Sequence, residues 1–366
     1  MPTRNDHTQA CLSITPEQAV ADQLYMRRCL QLARLGEEWV APNPMVGAVI
    51  VCDGRIIGEG WHRRYGDWHA EPNAIASVKD ASLLSRSTMY VSLEPCAHFG
   101  KTPPCAHLLA SKQLKRVVVG MLDPNPLVAG RGIAILREAG IAVTTGVMEE
   151  ACRELNKRFL CLHEQHRPYV TLKWAQTADG FMDRRRTSPT EPVTVISNTL
   201  TKHLVHQMRA HNMAILVGTR TALLDNPRLM TTRWCGRNPM RIVIDRQLTL
   251  PANTRLLNGD APTIVFSALD AYPFDTPAEV VRLNFNDNIW PQIMHHLAQR
   301  NIHSLIVEGG AKTLKSLLSI GLFDEIHVEV STAHLHDGVP APDVDTTHAA
   351  SCTYNGNHFY LIRNTH

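Results

Sequence analysis

Runs of apolar and polar positions along the chain predict two successive α/β units. In the first, Thr15-Pro16-Glu17-Gln18 marks a helix start, with Thr15 as cap, Pro16 in the first turn and Gln18 closing a capping box. That helix runs to Gly36. The apolar run MVGAVIVC predicts a strand, Asp53-Gly54 a compact turn, and RIIGEG the returning arm of a hairpin. HAEPNAIASVK reads as a short helix, because Pro72 is tolerated only in a first turn. TMYVSL (88–93) and RVVVGM (116–121) are strands, with the loop PCAHFGKTPPC after the first of them. A helix ending at Gly140 and the short strand IAVTTG complete a mixed sheet covered by helices.

Residues 149–168 read as a linking helix followed by a charged, His-rich turn, which divides the chain into 1–148 and 169–366. Beyond the link PYVTLKWA opens a second alternation. AILVG, PMRIVID, TIVF and SLIVEGG are buried-strand candidates, with LTKHLVHQMRA and AKTLKSLLSIGL as helices between or after strands. EIHVEVS and HFYLIR predict late, antiparallel strands. No internal repeat is visible.

The 366 residues fit two domains, and 44% hydrophobic with 19% charged residues is the balance of a chain that buries ordinary cores. A net charge of +3, spread along the chain, argues against nucleic-acid and membrane partners. No apolar run has the length of a membrane span, and the N-terminus lacks the basic-then-apolar order of a secretory signal. Nine cysteines, an odd number, fit a reducing compartment, the cytoplasm. Seven of them show no ligand-like spacing.

The other two carry chemistry. His69-Ala70-Glu71 opens a helix, and Cys96 and Cys105 follow in the loop after a strand. One imidazole and two thiolates hold Zn2+ tetrahedrally and leave one corner for water, whose proton the metal makes easier to remove. Glu71, two residues past His69, is placed to take that proton and pass it to a departing amine. This H-x-E…P-C…C order is the signature of hydrolytic deamination of an amino-pyrimidine-type ring. The other reading is a structural zinc site, with His98 or His107 as fourth ligand.

On APNPMVGAVIV, GEGWHRRYGDWHAE, YVSLEPCAHFGKTPPC and DPNPLVAGRG, the first unit resembles the cytidine-deaminase-like zinc family. It is most similar to the branch formed by the bifunctional deaminase/reductases of riboflavin biosynthesis. The resemblance implies one Zn2+ per chain on His69, Cys96 and Cys105, with Glu71 as proton shuttle. It also implies a pyrimidine and phosphate pocket at Asn43, His62, Lys101, Asp123 and Asn125. Asn side chains suit ring edges and Lys101 a phosphate, while Asn43, Asp123 and Asn125 equally suit turns beside proline. Pro72 stands where a β-branched residue is commoner.

In the second unit no GxGxxG follows a strand, and VEGGAKTL reads either as a phosphate-binding turn or as a plain strand-to-helix turn. TLKWAQTADG, MRAHNMAILVGTRTALLDNPRLMTTR, RIVIDR and VEGGAKTL resemble the reductase domain of the same family, and the resemblance spans nearly the full chain. It implies a dihydrofolate-reductase-like α/β fold that uses NADPH. Ala175, Val195, Thr221, Asp225 and Gly310 are then cofactor contacts, and Lys173, Arg209, Leu229, Arg233 and Glu308 substrate contacts. Three departures stand out: Val195 replaces a tryptophan, Asn226 replaces the second Asp of Asp-Asp-Pro, and the segment to Arg233 is one residue longer.

The implied chemistry is deamination of 2,5-diamino-6-(5-phosphoribosylamino)pyrimidin-4(3H)-one, then reduction of 5-amino-6-(5-phosphoribosylamino)uracil to the ribitylamino product. Water and Asp225 are both open as proton source. Small pyrimidine ribonucleotides are the expected partners, and a homodimer or homotetramer the expected assembly. Two rivals are a nucleic-acid-editing deaminase and a non-enzymatic zinc module joined to an NADPH-sensing domain.

Overall fold

The computed structural model describes residues 15–97, 104–125 and 129–364. Lys101 and His98, both singled out above, lie outside the described residues. The chain divides into two compact units at Gly36/Glu37, Pro44/Met45 and Leu155/Asn156, so that residues 37–44 group with the second unit.

The first unit runs α1 (Pro16–Arg34), β1 (Gly47–Cys52), β2 (Arg55–Trp61), α2 (Ala70–Ala76), β3 (Thr88–Leu93), α3 (Cys105–Ser111), β4 (Arg116–Met121), α4 (Arg131–Glu138), β5 (Ala142–Thr144) and α5 (Glu149–Leu155). Its sheet has the order β2-β1-β3-β4-β5. β1 pairs antiparallel with β2 and β3, whereas β3, β4 and β5 run parallel, the mixed sheet that the pattern predicts. Asp53 and Gly54 both take positive φ (47° and 73°), the geometry of a two-residue hairpin turn. The capping box forms by half: Thr15 accepts from the Gln18 N–H, while the Gln18 amide turns to Asp22. α2 lies backbone-close on β2, where a Cβ on Gly60 would stand 2.2 Å from the Ala74 nitrogen. One expectation is corrected. Cys105 is not in a loop but is the first residue of α3, which begins directly after Pro104.

The second unit comprises α6 (Lys157–Gln165), β6 (Tyr169–Gln176), β7 (Phe181–Asp183), α7 (Thr199–Ala210), β8 (Ala214–Gly218), α8 (Thr219–Asp225), β9 (Met240–Ile244), β10 (Thr263–Ser267), β11 (Glu279–Arg282), α9 (Ile289–Gln299), β12 (Ser304–Val307), α10 (Ala311–Leu318), β13 (Glu325–Val330), β14 (Val339–Pro340), β15 (Ala350–Tyr354) and β16 (Asn357–Arg363). Its main sheet has the order β11-β10-β9-β8-β12-β6-β13-β16-β15. The pairs from β11 through β13 are parallel, and β16 and β15 add antiparallel at one edge. Parallel strands need cover on both faces. One face packs Trp290, Ile293 and Leu297 of α9 with Leu314 and Leu317 of α10, and the other packs Ala222, Leu256 and Tyr272. The predicted link is two helices, α5 and α6, which part at the buried Asn156.

Candidate functional sites

In the first unit the sheet delivers three ligand-type side chains to one point. His69 is the N-cap of α2, Cys96 follows the end of β3, and Cys105 starts α3. The His69 Nδ1 stands 3.6 Å from the Cys96 Sγ and 3.4 Å from the Cys105 Sγ, and the three ligand atoms lie within 4.8 Å of one another. A tetrahedral ion with ordinary Zn–N and Zn–S bonds sets nitrogen and sulfur about 3.5 Å apart, so the spacing fits zinc without rearrangement. Among the described residues no fourth His, Cys, Asp or Glu joins the cluster, and His107 is exposed on α3.

Glu71 is 3% exposed in the first turn of α2, and burial pushes its carboxyl up to about 7 against the pull of His69. The Cys105 N–H donates to the Cys96 sulfur at 3.3 Å. Hydrogen bonding from Cys105 and His69 draws the Cys96 thiol down to about 4 and leaves Cys105 the more firmly protonated of the pair. His62 is buried edge-on to His69, ring centroids 5.4 Å apart, with its Nδ1 3.0 Å from the Trp68 carbonyl. Burial lowers its pKa, which favours a neutral ring.

Asp123 and Asn125 share a turn, the Asn125 N–H donating to the Asp123 carboxylate at 2.9 Å. Asn43 also lies in a turn, its N–H donating to the Val40 carbonyl, within the stretch that groups with the second unit. Pattern reasoning missed Glu94. This buried carboxylate directly follows β3 and accepts from four backbone N–H groups. Its one visible signal is an acid placed immediately after the mostly apolar strand TMYVSL.

In the second unit a cleft of about 1320 Å³ opens beside the sheet. Lys173, Ala175, Val195, Thr221, Asp225, Glu308 and Gly310 all line it, while Arg209, Leu229 and Arg233 are not on its walls. The volume exceeds the roughly 300–1,000 Å³ of ordinary small-molecule pockets, room for a dinucleotide beside a second ligand. Backbone closeness shapes its floor: a Cβ on Gly218 would meet the Thr313 hydroxyl at 2.7 Å. These features fit an extended phosphate-bearing cofactor.

Arg209 grips Glu308 through two bonds of 2.8 and 2.6 Å and donates a third to the Met230 carbonyl at 3.3 Å. Burial works against the Glu308 charge, but Arg209 and then Lys173 outweigh it and hold the carboxyl below its usual range. Lys173 is buried on β6, and burial pulls its ammonium down against Glu308 and Glu329. Asp225 is ion-paired with Arg186, a buried guanidinium that Asp183 also holds. Asn226 takes positive φ (39°) at the end of α8, and its side chain accepts from the Arg255 N–H at 2.8 Å. The Asp-to-Asn departure therefore serves a helix end, a position Asn suits. His206 was also missed. It stands one turn before Arg209 on α7, and its Nδ1 accepts from the Thr232 N–H at 3.0 Å, which puts the ring proton on Nε2.

Two family models match the chain: the cytidine and deoxycytidylate deaminase zinc-binding region over residues 19–121, and the RibD C-terminal domain over residues 168–335. The riboflavin biosynthesis protein RibD of Aquifex aeolicus is 39% identical over 331 residues, which cover 88% of this chain and 90% of that one. The chain belongs to the RibD family. RibD of Bacillus amyloliquefaciens is 40% identical over 84% of this chain and 83% of its own. A crystal structure of a diaminohydroxyphosphoribosylaminopyrimidine deaminase/5-amino-6-(5-phosphoribosylamino)uracil reductase from Thermotoga maritima superposes with a TM-score of 0.84 at 35% identity, covering 95% of this chain and 99% of that one. RibD of Acinetobacter baumannii gives 0.82 at 30% identity over 95% of this chain and 100% of that one.

As a RibD-family member the chain is a bifunctional deaminase and reductase of riboflavin biosynthesis, with zinc and NADPH as its cofactors. Its fold is a cytidine-deaminase-like unit followed by a RibD reductase unit. Among the described residues no helix is long and apolar enough to cross a membrane.

Proposed function

We propose that the first unit hydrolyses the exocyclic 2-amine of 2,5-diamino-6-(5-phosphoribosylamino)pyrimidin-4(3H)-one. The second unit then reduces the ribosyl group of the deaminated product to ribityl. The observation that carries the first step is the cluster of His69, Cys96 and Cys105 with the buried Glu71 beside it. When bound there, zinc supplies Lewis acidity that makes water a nucleophile near neutral pH. His69, Cys96 and Cys105 hold the ion. Glu71 takes the proton that water releases and hands it to the amine, which leaves as ammonia. His62, in its neutral form, and the turn bearing Asp123 and Asn125 orient the ring, with Asn43 and Lys101 as further substrate contacts.

For reduction, NADPH bound in the cleft would supply the hydride that converts the ribosyl to the ribityl group. Ala175, Val195, Thr221, Asp225 and Gly310 seat the cofactor in the cleft. Lys173 and Glu308 form its polar end toward the substrate, with Arg209 holding Glu308 and with Leu229 and Arg233 as further substrate contacts. Asp225, engaged by Arg186, acts as an anchor, which leaves water as the proton source at that position. We place the enzyme in the cytoplasm as an assembly of two or four copies.

The test is zinc content together with coupled turnover. Ammonia release from the diamino substrate should proceed without NADPH, and NADPH oxidation should follow addition of the deaminated product. Glu71→Gln should keep one zinc and reduction of supplied product, while deamination falls by about 10²–10⁴-fold. Ammonia release from an oligonucleotide in place of the free nucleotide, or zinc and NADPH binding without turnover, would overturn the reading.

A further inference from the structure

Glu94 is 3% exposed, and its carboxylate has no Lys or Arg partner among the described residues. Backbone N–H groups take that place. One oxygen accepts from Asp123 at 3.3 Å and Gly130 at 3.0 Å, and the other from Gly132 at 3.0 Å and Ile133 at 3.4 Å. Gly132 and Ile133 belong to the first turn of α4, where unpaired N–H groups and the positive end of the helix dipole favour an anion.

The connectivity matters more than the count. Glu94 stands two residues before the zinc-ligand candidate Cys96, and one of its oxygens holds both Asp123 and Gly130. Asp123 in turn accepts from the Asn125 N–H through its side chain. Gly132 presses its backbone onto the segment before Cys96, where an added Cβ would meet the Pro95 carbonyl oxygen at 2.0 Å. A single carboxylate therefore fixes the offset between the strand end that carries Cys96 and the loop that carries Asp123 and Asn125.

We propose that Glu94 is a positioning residue of the deaminase, registering the substrate-contact turn of Asp123 and Asn125 against the zinc site. This rests on the reading above in which Asp123 and Asn125 contact the pyrimidine nucleotide. An amide in its place keeps the shape but offers one acceptor oxygen and two donors, so two of the four N–H groups then face a donor. A loop held off its place loses contacts made equally to substrate and transition state, which raises KM and leaves kcat in place.

The experiment uses the full-length, zinc-loaded enzyme. Glu94→Gln should keep one zinc per chain and the parent reductase kcat/KM, and should raise the deaminase KM by about 10–100-fold with kcat changed by less than about threefold. Loss of zinc from Glu94→Gln, or an equal fall in kcat with KM unchanged, overturns the proposal and makes Glu94 part of the metal scaffold. Asp123→Ala separates the two levels. If Asp123→Ala raises KM and Glu94→Gln does not, the positioning role fails and the loop reading stands. If Asp123→Ala leaves KM unchanged, the loop reading itself fails.

Discussion

The guanidinium of Arg209 has three of its five N–H donors engaged before any substrate arrives, two to the buried Glu308 and one to the Met230 carbonyl. A residue-level reading gives such an arginine to a phosphate. The structure adds a second duty, since removing Arg209 strands a carboxylate in a desolvated wall, which costs about 3–5 kcal/mol when the pair is buried. Arg209→Ala should therefore lower the melting temperature of the second unit as well as raise the reductase KM. A pure phosphate contact would move KM with melting unchanged, so thermal melts beside reductase kinetics decide it. His69, Glu71, Cys96 and Cys105 were legible because zinc and proton transfer admit few side chains, and their order along the chain survives folding. Glu94 and His206 were not. Glu94 earns its place only through N–H groups 29 to 39 residues away, and His206 through one 26 residues away.

Among the elements, the segment between β7 and α7 lines the cleft and is fastened near both its ends. Near its start Arg186 joins Asp183 to Asp225, and near its end Ser197 donates to the buried Glu329 at 2.5 Å, while Asn357 donates to the Ile196 carbonyl. Val195 lies between these anchors, 74% exposed and on the cleft wall. That exposure leaves room for a larger side chain. Val195→Trp should tighten NADPH by up to about tenfold through stacking, at unchanged melting temperature. A titration showing weaker NADPH binding with a lower melting temperature would place the ring against filled space instead.

The second element-level prediction concerns α5. Cys152 on this helix is fully buried, and Gly120 of β4 approaches so closely that an added Cβ would stand 2.4 Å from its sulfur. A fragment ending at residue 148 removes this cover, whereas one ending at 155 keeps it. The longer fragment should melt higher and retain zinc better. Equal melting of the two would show that α5 contributes nothing to the first unit. Strands such as β3, β4 and β8 were legible because continuous apolar runs between polar turns have few other solutions. The parting of α5 from α6 was not, since Asn156 is neither Gly nor Pro, yet its backbone leaves the helix at φ −104° and ψ 17°.

At the scale of the molecule, pH stability follows from histidines kept neutral inside the second unit. Burial is the first cause in each case. His303 is brought down to about 3 and His206 to about 4, and His296 is lowered as well. The His303 Nδ1 and the His296 Nε2 are buried without a hydrogen-bond partner. Because these groups take up protons more readily when unfolded, stability is full above their ordinary pKa of 6.5 and declines as pH falls below it. At pH 5.5 one such histidine contributes a loss of about 1.4 kcal/mol. The carboxyls of Glu308 and Glu325, held low, add their own losses only below the ordinary carboxylate range. Denaturant midpoints between pH 7.5 and 5.5 should fall, and His303→Gln should flatten the slope. A slope unaltered by that substitution would assign the effect elsewhere.

The grouping of residues 37–44 with the second unit bears on how the protein is made. Ala41 accepts a hydrogen bond from Arg237, 196 residues further along the chain. On a ribosome adding about 5–20 residues per second, the first partner therefore waits roughly 10–40 s for the second to be synthesised. During that interval α1 and the strands of the first unit have all emerged, while residues 37–44 still wait for the part of the chain with which they group. Translation speed across the second half of the message thus sets how long this seam stays open, and with it the exposure of the nascent chain to chaperones and proteases.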